Sequence, residues 1–271
     1  DLPIAIALLA ASEQLNSQKL GQYEFVGELA LTGALRGIPG ALSAAMEAIH
    51  AGRQIVLSEE DAPLVGLLGG SDCLIASHLL EVCAFLEGKQ DLRLPPPESI
   101  PATAVCEDLS DVIGQQQGKR ALEITASGGH NLLLIGPPGT GKTMLATRMR
   151  GLLPPLSDRE ALESAAIISL ENTYCAQSEW RRRPFRAPHH SASLTAMVGG
   201  GSIPAPGEIS LAHNGILFLD ELPEFERRVL DALREPIESG KIHISRTRAK
   251  ITYPARFQLI AAKNPSPTGH Y

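Results

Sequence analysis

The chain has 271 residues, 44% of them apolar, and a formal net charge of −6, which is enough to bury one large core or two ordinary ones without covalent staples. Its four cysteines, Cys73, Cys83, Cys106 and Cys175, form neither a CxxC pair nor a cluster with histidine at zinc spacing. That excludes a disulfide scaffold and a zinc module, and the thiols read as the reduced residues of a cytoplasmic protein. The longest apolar run, Ile4 to Ala11, is far short of the roughly 20 residues a bilayer span needs and has nothing basic before it, so no membrane segment and no signal peptide are expected.

Taken in chain order, Leu2 to Leu15 has helical apolar spacing and Tyr23 to Leu31 partly alternates like a strand. Pro39 to Ala51 reads as a helix stopped by Gly52, Gln54 to Leu57 as a short strand and Leu74 to Leu86 as a second long helix. These elements predict a small α/β domain over residues 1–91, read as lacking its first strands. The stretch LRLPPPESIPATA, residues 92–104, has four prolines and no amphipathic period and is expected to be a linker. In the remainder, 105–271, the uninterrupted apolar runs Asn131 to Ile135, Ile216 to Leu219 and Phe257 to Ala262 predict buried parallel strands. A helix is expected from Gly141, another from the capping box of Ser157 and Glu160, and an amphipathic one over Arg227 to Ile237, ending at Gly240. Strands alternating with helices predict an α/β fold with a parallel sheet wrapped on both faces.

Charge is uneven along the chain. Residues 1–100 hold 13 acidic and 5 basic side chains, the rest 17 acidic and 19 basic. Lys241, Arg246, Arg248, Lys250, Arg256 and Lys263 fall in a stretch without Asp or Glu. By itself such a run is as consistent with a solvated face as with a polyanion site.

The segment GPPGTGKT, residues 136–143, has a buried strand predicted before it and a helix after it, the context that a phosphate loop requires. Gly136, Gly139 and Gly141, with Pro137, Pro138 and Thr140 between them, let the backbone turn its N–H groups toward a triphosphate. Lys142 is placed to reach the outer phosphates and the Thr143 hydroxyl to hold Mg²⁺. A carboxylate on a neighbouring strand is needed to complete the metal site. ILFLDE, residues 216–221, supplies Asp220 for it and Glu221 as a base for the attacking water. Asn264, directly after the third strand, is placed to orient that water. A nucleoside triphosphate with Mg²⁺ is the expected ligand and its hydrolysis the expected reaction.

In this order, the loop, the DE pair and the following Asn resemble the AAA+ ATPases, and the resemblance implies that the nucleotide is ATP. The resemblance extends to DLSDVIGQQQGKRAL, residues 108–122, the segment that in that family lies over adenine, with Ile113 and Gly114 as the implied contacts. GGHNLLLIGPPGTGKT, RRRPFRAPHHSAS, PAPGEISLAHNGILFLDELPEF and ARFQLIAAKNPSPTGHY together resemble the ComM/YifB family, the magnesium-chelatase-related branch of AAA+, over essentially the whole chain. The resemblance implies a hexameric, ring-forming, ATP-driven DNA helicase of branch migration in natural transformation. It also implies a helix interrupted by a loop at GGGSIPAPGEIS, residues 199–210, and a β-hairpin before the sensor strand. KIHISRTRAKITYPA, residues 241–255, alternates twice around a polar turn as such a hairpin should, and its tip residues Arg246, Arg248 and Lys250 are the implied DNA contacts. An arginine finger and a lid would lie beyond Tyr271.

ELALTGALRGIPGALSAAMEAIHAG in the N-terminal part resembles the Lon-type protease domain. A Ser-Lys dyad is absent: Asp1 stands at the serine position and Leu42 near the lysine position, so this domain is expected to be a non-peptidase. A chelatase-like protein-remodelling motor and an ATP-dependent protease are the alternatives, the second disfavoured by the missing dyad. His189 and His190, near the carboxyl edge of the predicted sheet, are expected to diverge as adjacent residues do and to serve structure or a subunit contact. Ser191 or Ser193 is expected to cap the next helix.

Overall fold

The computed structural model describes residues 1–96, 107–171, 180–201, 204–246 and 249–265. The chain divides into two compact units, one of residues 1–100 with 168–176 and one of residues 101–167 with 177–271. Part of the 92–104 segment expected to be a linker lies outside the described residues.

In the first unit the elements are α1 (Leu2–Ala11), β1 (Tyr23–Phe25), β2 (Glu28–Leu29), β3 (Leu35–Arg36), α2 (Ala41–His50), β4 (Gln54–Ser58), α3 (Ala62–Val65), β5 (Cys73–Ala76) and α4 (Leu79–Leu86). β1, β4 and β5 form a three-stranded parallel sheet in that order. Side chains alternate across it, as strand geometry requires. Val56, Leu74 and Ala76 join Leu2, Ile6, Val82 and Leu86 on one face, while Ile55, Leu57 and Cys73 meet Ala41, Ala45, Ala48 and Val65 on the other.

Three sequence expectations change here. Residues 74–86 are a strand followed by a helix: β5 is buried throughout, and His78 stops the run by turning extended, its Nδ1 accepting from Leu80 N at 3.1 Å. The Glu81 carboxylate in turn accepts from Ser77 N at 2.9 Å, a reciprocal cap that apolar periodicity alone conceals. Residues 23–31 break in two because Gly27 gives its carbonyl to Leu2 N at 3.1 Å, after which Glu28 and Leu29 pair with β3. The first helix ends at Ala11 and Leu15 packs on from the following turn.

The second unit comprises α5 (Gln116–Gly128), β6 (Leu132–Ile135), α6 (Lys142–Leu152), α7 (Asp158–Ile168, whose last residue falls in the first unit), β7 (Phe185–Arg186), α8 (Leu194–Val198), β8 (Gly199–Gly200), β9 (Ala205–Pro206), α9 (Glu208–Leu211), β10 (Ile216–Leu219), α10 (Arg227–Ala232), α11 (Arg234–Ser239), β11 (Lys241–Arg246), β12 (Ala249–Pro254) and β13 (Gln258–Lys263). Its sheet is parallel with the order β6-β13-β10-β7. Ile216, Phe218, Ile260, Ala262 and Leu134 pack with Leu122 of α5 and Leu145, Ala146 and Met149 of α6. Leu217 and Leu219, which alternate away from that cluster, are also fully buried, so the two central strands are covered on both faces.

β6 departs from the expectation of a fully buried strand. Among the described residues it pairs with β13 alone, and Leu133 and Ile135 remain 46% and 43% exposed. The predicted helix over 227–237 is two short helices: Pro236 has no N–H for a helical bond and its ring crowds the carbonyl of residue 232, where α10 ends. Gly240, in the left-handed conformation, closes α11 as expected. The Ser157–Glu160 capping box forms, with Glu160 accepting from Ser157 N at 2.9 Å and from its hydroxyl at 2.8 Å. Among the described residues no helix is long and apolar enough to cross a membrane.

Candidate functional site

The candidate site lies where the parallel strands end, the edge at which open α/β sheets gather their loops. Gly136 to Gly141 carry the chain from β6 to α6. Gly139 and Gly141 both take positive φ, 77° and 81°, which is why glycine stands there. Gly141 leaves Lys142 and Thr143 on the first turn of α6. The Lys142 ammonium donates to Gly136 O at 2.8 Å, to Pro137 O at 2.9 Å and to Asn264 Oδ1 at 3.0 Å. The Thr143 hydroxyl donates to Asp220 Oδ2 at 2.7 Å.

Strand order explains the convergence. β13 lies between β6 and β10, with Lys263 opposite Ile135 and Ala261 opposite Leu219, so the residues that follow these strands emerge at one edge. Asp220 and Asn264 therefore flank the glycine loop although 77 and 122 residues separate them from their partners Thr143 and Lys142. Glu221, next to Asp220, adopts the left-handed region at φ 53° and ψ 46°, and its N–H donates to Asp220 Oδ1 at 2.9 Å. A non-glycine residue in that region costs of order 1 kcal/mol or more and is a recurrent mark of functional turns. Ile113 is 95% exposed and Gly114 has φ 74°. The neighbouring Gln115 amide donates to Thr140 O at 2.9 Å and ties this segment to the glycine loop.

The donor set bears on which ligand fits. Thr143 and Asp220 offer hard oxygens, the chemistry magnesium takes. Among the described residues no group of three or more His, Cys, Asp or Glu could hold a metal ion, so a cation on these two oxygens would fill its remaining positions with water and phosphate. The Lys142 ammonium is held by two carbonyls of its own loop and by the Asn264 amide oxygen, which keeps it beside the glycine-lined turn.

Sequence reasoning missed one component. The imidazoles of His189 and His190 do not diverge but stack, with centroids 4.0 Å apart and planes at 36°. His190 Nδ1 lies 3.3 Å from Glu221 Oε2. Both histidines line a cavity of about 340 Å³ with Thr143, Asp220 and Glu221, against the rings of Phe185 and Phe218. Ser193, and not Ser191, caps α8, accepting from Ala196 N at 3.2 Å. No sequence signal tied the histidines to Glu221, because the link is made by β7 lying next to β10.

Elsewhere in this unit the helix expected to be interrupted at 199–210 gives way to the antiparallel pair β8–β9, with residues 202–203 outside the described set. β11 and β12 form an antiparallel hairpin from Lys241↔Pro254 to Arg246↔Ala249. Of the three implied DNA contacts, Arg246 ends β11, Lys250 is exposed opposite Ser245, and Arg248 lies outside the described residues. The Tyr253 hydroxyl donates to Pro204 O at 3.0 Å and thus ties the hairpin to the insert.

The family model described as magnesium chelatase, subunit ChlI, matches residues 108–271, and a second, described as subunit ChlI of Mg-chelatase, matches residues 1–61. The chain belongs to this family. Its relatives place it in the ComM/YifB branch. YifB of Escherichia coli strain K12 is 74% identical over 271 residues, covering 100% of this chain and 54% of the relative. Competence protein ComM of Haemophilus influenzae is 57% identical over 277 aligned residues, again 100% of this chain and 54% of the relative. A magnesium-chelatase 38 kDa subunit of Cereibacter sphaeroides is 28% identical over 178 residues, 58% of this chain and 52% of that protein. The chain thus spans about half the length of these relatives. The fold of its second unit is that of a P-loop AAA+ domain of the magnesium-chelatase kind.

Proposed function

We propose that this chain is the nucleotide-binding half of an ATP-driven DNA motor of the ComM type. The observation that carries the ATPase part is the convergence of Lys142, Thr143, Asp220, Glu221 and Asn264 at one sheet edge. Bound there, Mg²⁺-ATP would supply the phosphoanhydride bond to be broken and a cation to offset its charge. Gly136 to Gly141 would cradle the phosphates with backbone N–H groups, and Lys142 would exchange its two carbonyl partners for phosphate oxygen. Thr143 and Asp220 would hold the cation, Glu221 would accept the proton of the attacking water, and Asn264 would orient that water from the opposite side. Ile113 and Gly114 would meet the adenine.

The DNA part is supported by the competence name of the 57% identical relative and by the placement of Arg246 and Lys250 at the far end of the hairpin. In a hexameric ring, six such segments carrying Arg246, Arg248 and Lys250 would grip strand phosphates without reading sequence, with steep salt dependence. A chelatase-like remodelling motor is the second reading, favoured by the family description and the magnesium-chelatase relative. A Lon-like protease is disfavoured by Leu42, which is fully buried in α2 where a dyad lysine would be needed.

ATPase activity of the full-length protein, measured with single-stranded, duplex and forked DNA at two salt concentrations, discriminates these readings. A DNA motor is stimulated and loses the stimulation at high salt. Glu221→Gln should still bind ATP and fail to hydrolyse it, and combined Arg246→Ala, Arg248→Ala and Lys250→Ala should remove the stimulation. A rate indifferent to every DNA would leave the remodelling motor as the better reading.

A further inference from the structure

A hairpin that bears load from DNA needs a base held by groups outside itself. At the near end of β11–β12, Lys241 stands opposite Pro254, and the chain re-enters the sheet at Gln258. Three hydrogen bonds fasten the residues between. Ala255 N donates to Gly240 O at 2.8 Å, Asn214 N donates to Arg256 O at 2.7 Å, and Arg256 N donates to Nδ1 of His213 at 3.1 Å. Residue 256 is thus gripped on both sides by the turn that leads into β10. The His213 ring is 1% exposed. Burial holds its pKa below the ordinary 6.5 although Glu163 pulls the other way, so the ring is neutral, with one nitrogen to donate and one to accept. Because Nδ1 accepts from Arg256 N, the proton sits on Nε2, which lies 3.5 Å from Glu163 Oε2 of α7. Glu163 in turn accepts from Arg159 Nε at 3.1 Å, and the His213 carbonyl accepts from Ser164 Oγ at 3.3 Å, so α7 orients both the ring and its backbone.

We propose that His213 is a positioning residue for the DNA hairpin: its Nδ1 lone pair fastens the backbone of residue 256, and with it the base of β11–β12, to the turn before β10. The inference rests on the reading of that hairpin as the DNA contact. His213 precedes β10, whereas Asp220 and Glu221 follow it at the other end. Loss of the anchor therefore weakens the hold on DNA and leaves basal nucleotide turnover as it was.

The test uses the full-length protein and two amide variants. His213→Asn can place its carbonyl oxygen where Nδ1 stands and should keep the anchor, whereas the amide of His213→Gln reaches the place of Nε2 and should lose it. Hydrogen exchange over 254–258 in DNA-free protein should run about fivefold faster in the Gln variant and stay within about twofold of wild type in the Asn variant. The single-stranded DNA concentration that half-maximally stimulates the ATPase should rise about fivefold in the Gln variant alone, with basal turnover changed by less than about twofold. Long-range nitrogen–proton correlation spectra of ¹⁵N-histidine-labelled wild type should show the His213 proton on Nε2, a readout that needs no variant to fold. An Nδ1–H tautomer, equal exchange in the two variants, or an unchanged half-maximal DNA concentration in the Gln variant would each overturn the proposal. The combined Arg246→Ala, Arg248→Ala and Lys250→Ala variant separates the two levels. Full stimulation in it removes the DNA reading of the hairpin itself, whereas its failure alongside a normal His213→Gln removes only the positioning role.

Discussion

Asp61 offers a test of the packing in the first unit that needs no ligand. It is 7% exposed, sits against Gly37, and leaves Oδ2 buried without a hydrogen-bond partner. Burial pushes its carboxyl from 3.8 up to about 6, opposed by a hydrogen bond from the Ile38 backbone and reinforced by the charge of Glu60. The folded unit therefore holds this proton more tightly than the unfolded chain does. The resulting stability is fully present below pH 3.8 and is lost as pH rises through about 6. At about 1.4 kcal/mol per pH unit, the gap of about two units amounts to at most about 3 kcal/mol between pH 4 and pH 7. Asp61→Asn cannot ionise and still offers an oxygen to Ile38, so it should stabilise this unit by about 1–2 kcal/mol at pH 7.5, its buried amide N–H groups offsetting part of the gain. The advantage should shrink toward zero near pH 4.5. Because the chain has two units, global unfolding is a poor readout. Pulse-labelling hydrogen exchange in urea, read on peptides spanning 54–76, isolates β4 and β5. Parallel stability profiles of the two proteins from pH 4.5 to 7.5 would refute the assignment of a destabilising buried carboxylate.

Three further outcomes follow from the second unit. At Gly215 an added Cβ would stand 2.1 Å from Pro184 O and within 2.9 Å of two more Pro184 backbone atoms, so Gly215→Ala should separate β7 from β10 and cost upward of about 3 kcal/mol, seen as a collapse in thermal midpoint or in soluble yield. Arg186, at the end of β7, makes a bidentate pair with Glu208 at 2.6 and 2.7 Å; with both side chains partly exposed, Glu208→Gln should cost about 1–2 kcal/mol in denaturant unfolding, and an unchanged midpoint would show the pair to be energetically idle. Tyr253→Phe removes the tether to Pro204 and should weaken it by about 1 kcal/mol, read as faster amide exchange across 204–211 with the sheet amides unaffected.

Much of the site could be read from the chain itself. The glycine loop, the acidic pair and the downstream amide each sit directly after an apolar run that is a strand in the structure, and each owes its position to that local context. The elements misread were those in which two local signals compete. CLIASHLLEVCAFL is apolar enough for one long helix until Ser77 and His78 divide it by capping, and the 227–237 pattern looks continuous until Pro236 denies it a hydrogen bond.

What the sequence alone determined, then, is the local chemistry: a phosphate loop between strand and helix, two carboxylates at a strand end, and family membership written in contiguous motifs. The order β6-β13-β10-β7 was settled only by tertiary structure. That order places Lys142 beside Asn264 and Thr143 beside Asp220, and it brings His190 across to Glu221. The physical reason is that strand neighbours are chosen by how a whole sheet buries its two faces against helices, a property summed over the unit. No spacing along the chain encodes which edge a histidine doublet will face.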